Sequence, residues 1–306
     1  MARELVELAP GAYYLPGGTN LGLLVNEATR GGVAVDAGID RDSAKKLAAA
    51  VEARGVRIEA LFLTHAHADH FGGAAFLKER TGCRVLAAGL EPAVVANPLL
   101  EPLYLFAGAA PPREFRQKFL LGQACEVDEV VQAGETIVVA GLTCRVEPLP
   151  GHTPDQVGLG WGEVLFAGDA FFPAPVLVKH PVPVFASPKE AKETLTRLAG
   201  GSYSTVVPGH GPAVDRAELG ETCAASLEAL TRLEEQVRAA LSQGPLTLDD
   251  LLGRVGEAVG EKFVALSQVC LARLTVQALL GELLDAGEVR LAFRENRLCW
   301  ELVGGC

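Results

Sequence analysis

The sequence has no uninterrupted apolar run of the roughly 18 residues that a membrane-spanning helix needs. Its most apolar stretch, residues 90–112, is broken by Glu91, by Glu101 and by several prolines. A signal peptide is not expected either, because Glu4 and Glu7 stand where its apolar core would begin. We therefore expect a cytoplasmic protein that has no membrane partner.

Paired cysteines and basic residues are also scarce. The seven cysteines form no C-x-x-C motif and no close pairs, which excludes a cysteine zinc knuckle and disfavours a secreted disulfide scaffold. The 27 lysines and arginines are outnumbered by 38 aspartates and glutamates, which gives a net charge of −11. Such a charge disfavours non-specific nucleic-acid binding as the main role. No G-x-G-x-x-G or Walker motif indicates a nucleotide-binding loop.

The first two hundred residues alternate short apolar runs with helical patterns. Strands are expected at residues 21–25, 33–35, 58–63, 138–146, 164–166 and 206–207, and helices at residues 42–54 and 71–80. Gly55 and Gly82 follow the two helices and are expected to end them. This order predicts a layered α/β or α+β architecture.

The pattern changes after His210-Gly211-Pro212. Helices are expected at residues 215–241, from residue 248 onward and at residues 268–284, followed by a hairpin of residues 288–293 and 298–303. Thr247 is expected to cap the second of these helices. Three helices and a hairpin follow one another in this order in a small winged helix. We therefore predict two domains, residues 1–212 and a helical, winged-helix-like domain of residues 213–306.

Three of the six histidines fall within six residues, in the segment Thr64-His65-Ala66-His67-Ala68-Asp69-His70. The apolar run before it and the helical pattern after it predict a strand-to-helix loop, which can point several imidazoles into one cavity. Neutral imidazole suits zinc, copper, iron or nickel, and a carboxylate adds the negative charge that a divalent ion needs. The short spacing favours a metal site over a chance cluster on a solvated loop.

Three further residues of ligand type each stand beside a glycine after an apolar run: His152, Asp169 and His210. Glycine lets the backbone turn tightly there and lets a ligand or a metal approach. Five of the six histidines are thereby assigned to loops at strand ends. The sequence thus predicts a single site that gathers residues from distant parts of the chain.

The H-x-H-x-D-H loop at residues 65–70, followed in order by His152, Asp169 and His210, resembles the metallo-β-lactamase-fold superfamily. The resemblance covers roughly residues 10–212. It implies an α+β fold, the αββα sandwich, with the site at one edge of the paired sheets. It also makes residues 1–212 the catalytic domain of a dinuclear metal-dependent hydrolase.

The superfamily pattern implies seven metal ligands in two sites: His65, His67 and His152; Asp69, His70 and His210; and Asp169, which bridges both. It implies two divalent ions, zinc first, with iron and manganese as alternatives. A hydroxide between ions roughly 3.5–4 Å apart would be the nucleophile. Asp69 is the expected catalytic residue, which orients this nucleophile or moves its proton. A structural metal without catalysis is the non-enzymatic alternative.

The ligands do not name the substrate, and the departures from known subfamilies are more informative. Glyoxalase II and the persulfide dioxygenases carry Gly-Cys-Gly-Arg after the bridging aspartate, where this chain has Ala-Phe-Phe-Pro. Homoserine-lactone lactonases have a tyrosine at the position of Phe172, and flavodiiron proteins have glutamate at the position of His67. We expect hydrolysis of a small ester or thioester. The alternatives are a phosphodiesterase or endoribonuclease on the same ions and a mono-iron persulfide dioxygenase.

Residues 213–306 resemble the winged-helix tail of the β-lactamase-like protein 2 group, some members of which cleave single-stranded RNA. Nine basic residues face fifteen acidic ones in this part, so RNA is a disfavoured partner. The expected hairpin carries Arg290, Arg294 and Arg297, which indicate either a solvated surface or, less favoured, a phosphate clamp.

Two segments are expected to shape the substrate pocket. Residues 90–121 are rich in Leu, Pro and Phe and continue into a basic group, Arg113, Arg116 and Lys118. They predict a lid over an apolar substrate with a cationic rim, or else an interface helix of a homodimer, or plain packing. Residues 171–185, which contain His180, follow the bridging aspartate and are expected to line the cleft, although a lone histidine is more often a surface residue.

Overall fold

The computed structural model describes residues 4–304 and contains two large sheets. The first has seven strands in sequential order: β1 (Val6–Ala9), β2 (Ala12–Leu15), β3 (Leu21–Asn26), β4 (Gly31–Val35), β5 (Arg57–Phe62), β6 (Arg84–Ala88) and β7 (Glu129–Val131). Neighbours are antiparallel from β1 to β4 and parallel from β4 to β7. The parallel strands therefore end at one edge of the sheet.

The second sheet has six strands: β8 (Thr136–Val139), β9 (Leu142–Pro148), β10 (Val157–Trp161), β11 (Val164–Gly168), β12 (Thr205–Pro208) and β13 (Val214–Asp215). Their order across the sheet is β13-β12-β11-β10-β9-β8. β11 and β12 run parallel, and the other neighbours are antiparallel.

Ten α-helices are described in residues 4–304: α1 (Arg41–Ala53), α2 (Ala68–Phe71), α3 (Ala74–Thr81), α4 (Glu91–Ala96), α5 (Leu100–Leu105), α6 (Ala174–Lys179), α7 (Pro188–Gly200), α8 (Arg216–Leu241), α9 (Leu248–Val259) and α10 (Leu266–Asp285). A short 3-10 turn covers Arg113–Phe115, and the hairpin β14 (Val289–Arg294) and β15 (Arg297–Leu302) follows α10. None of the helices described is both long enough and apolar enough to cross a bilayer.

The hydrophobic core has the layers of an αββα sandwich. One buried cluster fills the space between the sheets, where Leu24 and Phe62 of the first sheet join Leu159 and Phe166 of the second. A second cluster packs α1 and α3 on the outer face of the first sheet, and a third packs α7 and part of α8 on that of the second. The α+β sandwich predicted from the sequence is confirmed.

The order of three helices and a hairpin after residue 212 agrees with the sequence prediction. The first half of α8 packs through Leu219 and Cys223 on the second sheet, whereas its second half packs through Leu233 and Val237 on α9, α10 and the hairpin. The sheet itself continues through β13, just beyond residue 212. The division at 212/213 and the winged-helix class of residues 213–306 stay predictions.

Two predicted elements differ from those observed. The helix expected at residues 71–80 is two helices separated by Gly72-Gly73, where the backbone passes so close to residue 39 that a Cβ at Gly72 would lie 2.2 Å from the carbonyl oxygen of Ile39. The strand expected at residues 138–146 is a hairpin, β8 and β9, which turns at Ala140-Gly141 with positive φ at both residues. An apolar run conceals that turn in the sequence.

Candidate metal centre

The seven predicted ligands lie in segments that follow strands at one edge of the sandwich, Asp69 and His70 in α2 and the other five on loops. β5 ends at Phe62, and the H-x-H-x-D-H segment follows it and continues into α2. His152 lies between β9 and β10, Asp169 directly follows β11, and His210 follows β12. The positions after strand ends bring ligands from both sheets to one place, as the alternating sequence pattern predicts.

The structure brings the seven side chains together in three overlapping groups: His65, His67 and His152; His65, His70 and Asp169; and Asp69, His70 and His210. Within each group the ligand atoms all lie within 4.8 Å of one another. The carboxylate of Asp169 stands between the groups. Its Oδ2 is 3.5 Å from Nε2 of His152 and 3.4 Å from Nε2 of His210, and its Oδ1 is 3.5 Å from Nε2 of His70.

Several polar atoms of this cluster are buried without a hydrogen-bond partner in the described part of the chain: Nε2 of His65, Nε2 of His70 and Oδ1 of Asp169. Buried polar atoms are nearly always satisfied, so three such atoms in one cluster need an explanation. Imidazole nitrogens together with a carboxylate oxygen are a donor set that suits a divalent transition-metal ion. The residues present therefore fit the metal that the sequence predicts.

The Nδ1 atoms of the histidines are held by groups behind the cluster. Nδ1 of His70 donates to Oδ2 of Asp36 at 2.8 Å, and Nδ1 of His65 lies 3.1 Å from the hydroxyl of Thr64. Thr64 in turn donates to the carboxylate of Asp36. These contacts fix each ring with Nε2 towards the centre, which is the usual arrangement behind a metal-binding histidine.

Two other histidines, His152 and His210, are held in the same way by hydrogen bonds to backbone carbonyls. Nδ1 of His152 donates to the carbonyl of Val184 at 2.7 Å, and Nδ1 of His210 donates to the carbonyl of Gly18 at 2.5 Å. His67 instead turns its Nδ1 inward, 2.7 Å from Nε2 of His152. This pair presents two nitrogens to a common point.

Burial and neighbouring charges divide the imidazoles into two kinds. Burial, reinforced by the other imidazoles, lowers the pKa of His65 well below its usual range and that of His67 to about 3. Burial also opposes a proton on His70 and His210, but the site carboxylates outweigh it and raise the pKa of His70 to about 9 and that of His210 to about 12. The protons on these two rings balance the negative charge of the carboxylates.

The carboxylates Asp69 and Asp169 are kept ionised by the same contacts. Burial opposes their charge, but neighbouring imidazoles hold the pKa of both carboxyls well below the usual range. Oδ2 of Asp69 also accepts a hydrogen bond of 2.9 Å from the hydroxyl of Thr19 and lies 3.2 Å from Nε2 of His210. Asp69 is thus fixed and negative at the mouth of the cluster.

The sequence predicts no role for two buried glutamates near the site, Glu91 and Glu101, because they appear there only as interruptions of an apolar stretch. Oε2 of Glu91 accepts from the backbone amide of Ala66 at 2.7 Å, and the hydroxyl of Thr153 donates to its other oxygen. Glu91 thereby ties the H-x-H-x-D-H loop to the loop of His152. Glu101 is 2% exposed on the wall of the adjoining cavity, and burial raises the pKa of its carboxyl well above the usual range.

A cavity of about 780 Å³ adjoins the cluster. Its walls come from both predicted domains: the loop after β2, the start of α1, residues 117–120, residues 172–184 and the start of α10. Lys118 and His180 line it, as expected for pocket-shaping segments. Arg113 and Arg116 are exposed and are not among the residues that line it, so Lys118 is the one member of the basic group on the cavity wall.

The segment of residues 90–121 contributes to a hydrophobic cluster as well as to the cavity wall. Leu105, Phe115 and Leu120 form a small buried cluster with Cys270 of α10. The segment therefore fills the space between the sandwich and the C-terminal helices. A homodimer through this segment stays a prediction.

Two of the three hairpin arginines, Arg290 and Arg294, pair with one glutamate. Glu301 of β15 accepts from Nε of Arg290 at 2.6 Å and from Nη2 of Arg294 at 2.8 Å. Arg297 is not part of this arrangement, and both interpretations of the hairpin arginines stay predictions.

The sequence profile of the metallo-beta-lactamase superfamily matches residues 15–210. The chain is 30% identical over 155 residues to a hydroxyacylglutathione hydrolase of Rhodopseudomonas palustris strain BisB5, and 33% identical over 155 residues to that of strain BisB18. Each match covers 50% of this chain and 48% of the relative. The chain thus spans about half the length of these relatives.

Solved structures share the fold over most of the chain. A metallo-beta-lactamase family protein from Thermus thermophilus superposes with a TM-score of 0.75 at 22% identity, covering 97% of this chain and 100% of that one. A beta-lactamase domain protein from Burkholderia ambifaria gives a TM-score of 0.76 at 23% identity, covering 99% and 95%. Both extend the fold similarity beyond the sandwich into the C-terminal helices.

Proposed function

The chain belongs to the metallo-beta-lactamase superfamily, and on this basis we propose that it is a metal-dependent hydrolase of a thioester or a related ester. The observation that carries the proposal is the convergence of seven ligand-type side chains around three buried, unpartnered atoms of His65, His70 and Asp169. A surface or structural role does not require such a cluster to open into a cavity of substrate size.

Two groups of residues would hold the metal ions. His65, His67 and His152 would bind one ion, Asp69, His70 and His210 the other, and Asp169 both. When bound, divalent ions supply an ionised water near neutral pH and polarise the acyl carbonyl. Zinc is our first candidate, with iron and manganese as alternatives.

The protein's own side chains orient the reactants. The Asp69 carboxylate, at the mouth of the cluster, would accept a hydrogen bond from the attacking water. Thr19 holds Oδ2 of Asp69 in place. A thiolate leaving group has a usual pKa near 8.5 and departs without a general acid, so the reaction needs no further proton donor.

The relatives favour a thioester over other acyl substrates. They are named hydroxyacylglutathione hydrolases, and an acylated glutathione is a thioester. The Gly-Cys-Gly-Arg run expected in glyoxalase II is absent after Asp169, so the proposal does not extend to glutathione as the carrier. The proposal also includes the cytoplasmic location predicted from the sequence.

The experiment compares hydrolysis of a simple thioester with that of bis-p-nitrophenyl phosphate, each with and without a chelator. We expect thioester turnover that the chelator abolishes, and no phosphodiester cleavage. Phosphodiester cleavage alone would replace the proposal by a nuclease function. Absence of both activities in protein that contains iron would favour the dioxygenase alternative.

A further inference from the structure

The cavity beside the metal centre is much larger than a short acyl group requires. Its volume of about 780 Å³ lies in the upper part of the range of sites that enclose drug-sized ligands. It begins at His67 and Asp169 and extends to Leu271 and Ala272 of α10. Room on this scale, continuous with the reacting atoms, indicates a substrate much larger than a short acyl ester.

Much of the cavity wall is apolar. Leu120, Phe172 and Val182 are each nearly fully buried and line the cavity from two segments, residues 117–120 and residues 172–184, and Leu271 joins them from α10. An apolar group that enters such a cavity is removed from water, and each buried methylene is worth up to about fourfold in binding.

Two polar side chains of this wall are engaged within the protein, and Lys46, Lys179 and Glu261 also line it. Oε1 of Gln268 accepts from the amides of Val264 and Ala265 before α10. The hydroxyl of Ser43 donates to Asp40. These groups offer little to a sugar, a peptide or a nucleobase, which need hydrogen bonds along their length. An alkyl chain needs none.

Exposed apolar side chains stand on the cavity wall and next to wall residues in sequence. Phe119, itself a wall residue, is 61% exposed, and Val178 and Val264, each adjacent in sequence to a wall residue, are 82% and 84% exposed.

Building on the proposed hydrolase function, we propose that the substrate is a thioester of a medium- or long-chain fatty acid, with ~8 or more carbons in the acyl chain. The thioester carbonyl lies at the metal centre, and the acyl chain of the substrate lies along Phe172, Val182 and Leu271. Water attacks the carbonyl carbon, the carbon–sulfur bond breaks, and the products are the fatty acid and the thiol.

The test measures kcat/KM for acetyl-, octanoyl-, dodecanoyl- and palmitoyl-coenzyme A, all below the concentration at which they form micelles. We expect kcat/KM to rise about 100-fold or more from acetyl to dodecanoyl, since up to ten further methylenes become buried. A flat or falling profile with acetyl-coenzyme A hydrolysed would overturn this inference and leave the hydrolase function intact. Absence of hydrolysis at every chain length would overturn both.

Variants of Leu271 test where the acyl chain of the substrate lies. L271W fills the cavity and L271N makes its wall polar, so each should lower the dodecanoyl-to-acetyl ratio of kcat/KM by about tenfold or more. Gln277 is exposed on the same helix, and Q277W, the matched control, should leave the ratio within about twofold. An unchanged ratio in folded L271W and L271N would contradict the placement.

Discussion

Oδ2 of Asp36 lies 2.8 Å from Nδ1 of His70, and both side chains are buried. Asp36 follows β4, and His70 lies in α2, beyond the neighbouring strand β5. The carboxylate holds the imidazole with Nε2 towards the metal centre and makes that nitrogen a stronger ligand. The H-x-H-x-D-H motif identifies His70 as a ligand. The orientation of its ring is set by Asp36, which the parallel strands bring beside it.

Replacing Asp36 should weaken metal binding without removing a ligand. In D36N the amide cannot provide the negative charge behind His70, and we expect the affinity for zinc to fall by about 10- to 100-fold. Competition with a chromophoric chelator measures this affinity. D42N, an exposed aspartate on α1, is the control and should match the wild type. Equal affinities for D36N and D42N would show that the contact does not tune the site.

Removing the carboxylate of Asp69 should abolish turnover. D69A loses both a proposed metal ligand and the group that orients the attacking water, so we expect thioester kcat/KM to fall by about a thousandfold or more. D42A again serves as the control. Turnover of D69A close to that of the wild type would remove Asp69 from the mechanism.

Metal uptake should release protons. The pKa of His70 is raised to about 9 and that of His210 to about 12, so both rings are protonated at neutral pH before a cation binds. A cation must displace these protons, so its affinity falls as the pH is lowered. Zinc titration of metal-free protein at pH 7.5 should release about two protons per chain. Calorimetry in buffers of different ionisation enthalpy measures the number, and release of none would contradict these assignments.

Glu91 should make stability depend on pH in a defined direction. Burial raises the pKa of its carboxyl from 4.5 to about 7. The unfolded chain ionises this group at lower pH than the folded protein does, so its contribution to the free energy of unfolding falls as the pH rises from about 4.5 to 7. The wild type should therefore lose up to roughly 3 kcal/mol relative to E91Q across this window.

Urea unfolding of the metal-free wild type and E91Q at several pH values measures this difference. E79Q, which changes an exposed glutamate of α3, is the control and should track the wild type. A constant difference between E91Q and the wild type from pH 4.5 to 8 would show that Glu91 ionises normally.

The ligands of the site could be predicted because the neighbouring sequence of each one carries a signal. A glycine beside His152, Asp169 and His210 marks the end of a strand, and the H-x-H-x-D-H run stands between an apolar run and a helix. Strand ends of a layered fold meet at one edge, so local signals suffice to place these residues together.

The supporting residues could not be predicted because their roles depend on contacts far along the chain. Glu91 meets Ala66 and Thr153, which are 25 and 62 residues away. The wall of the cavity joins Leu271 to a site some sixty or more residues earlier in sequence, through packing that no local pattern encodes. The break at Gly72-Gly73 likewise lies where the backbone passes close to that of residues 37–39.

The most direct test of the account is a metal titration with two readouts on one sample. Metal-free protein is supplied with zinc, and bound zinc per chain is measured together with the rate of thioester hydrolysis. We expect about two equivalents to bind tightly, because the seven ligands form two groups joined by Asp169, and turnover to appear as they bind. Full thioester turnover in the metal-free protein, or no zinc binding at all, would contradict the account.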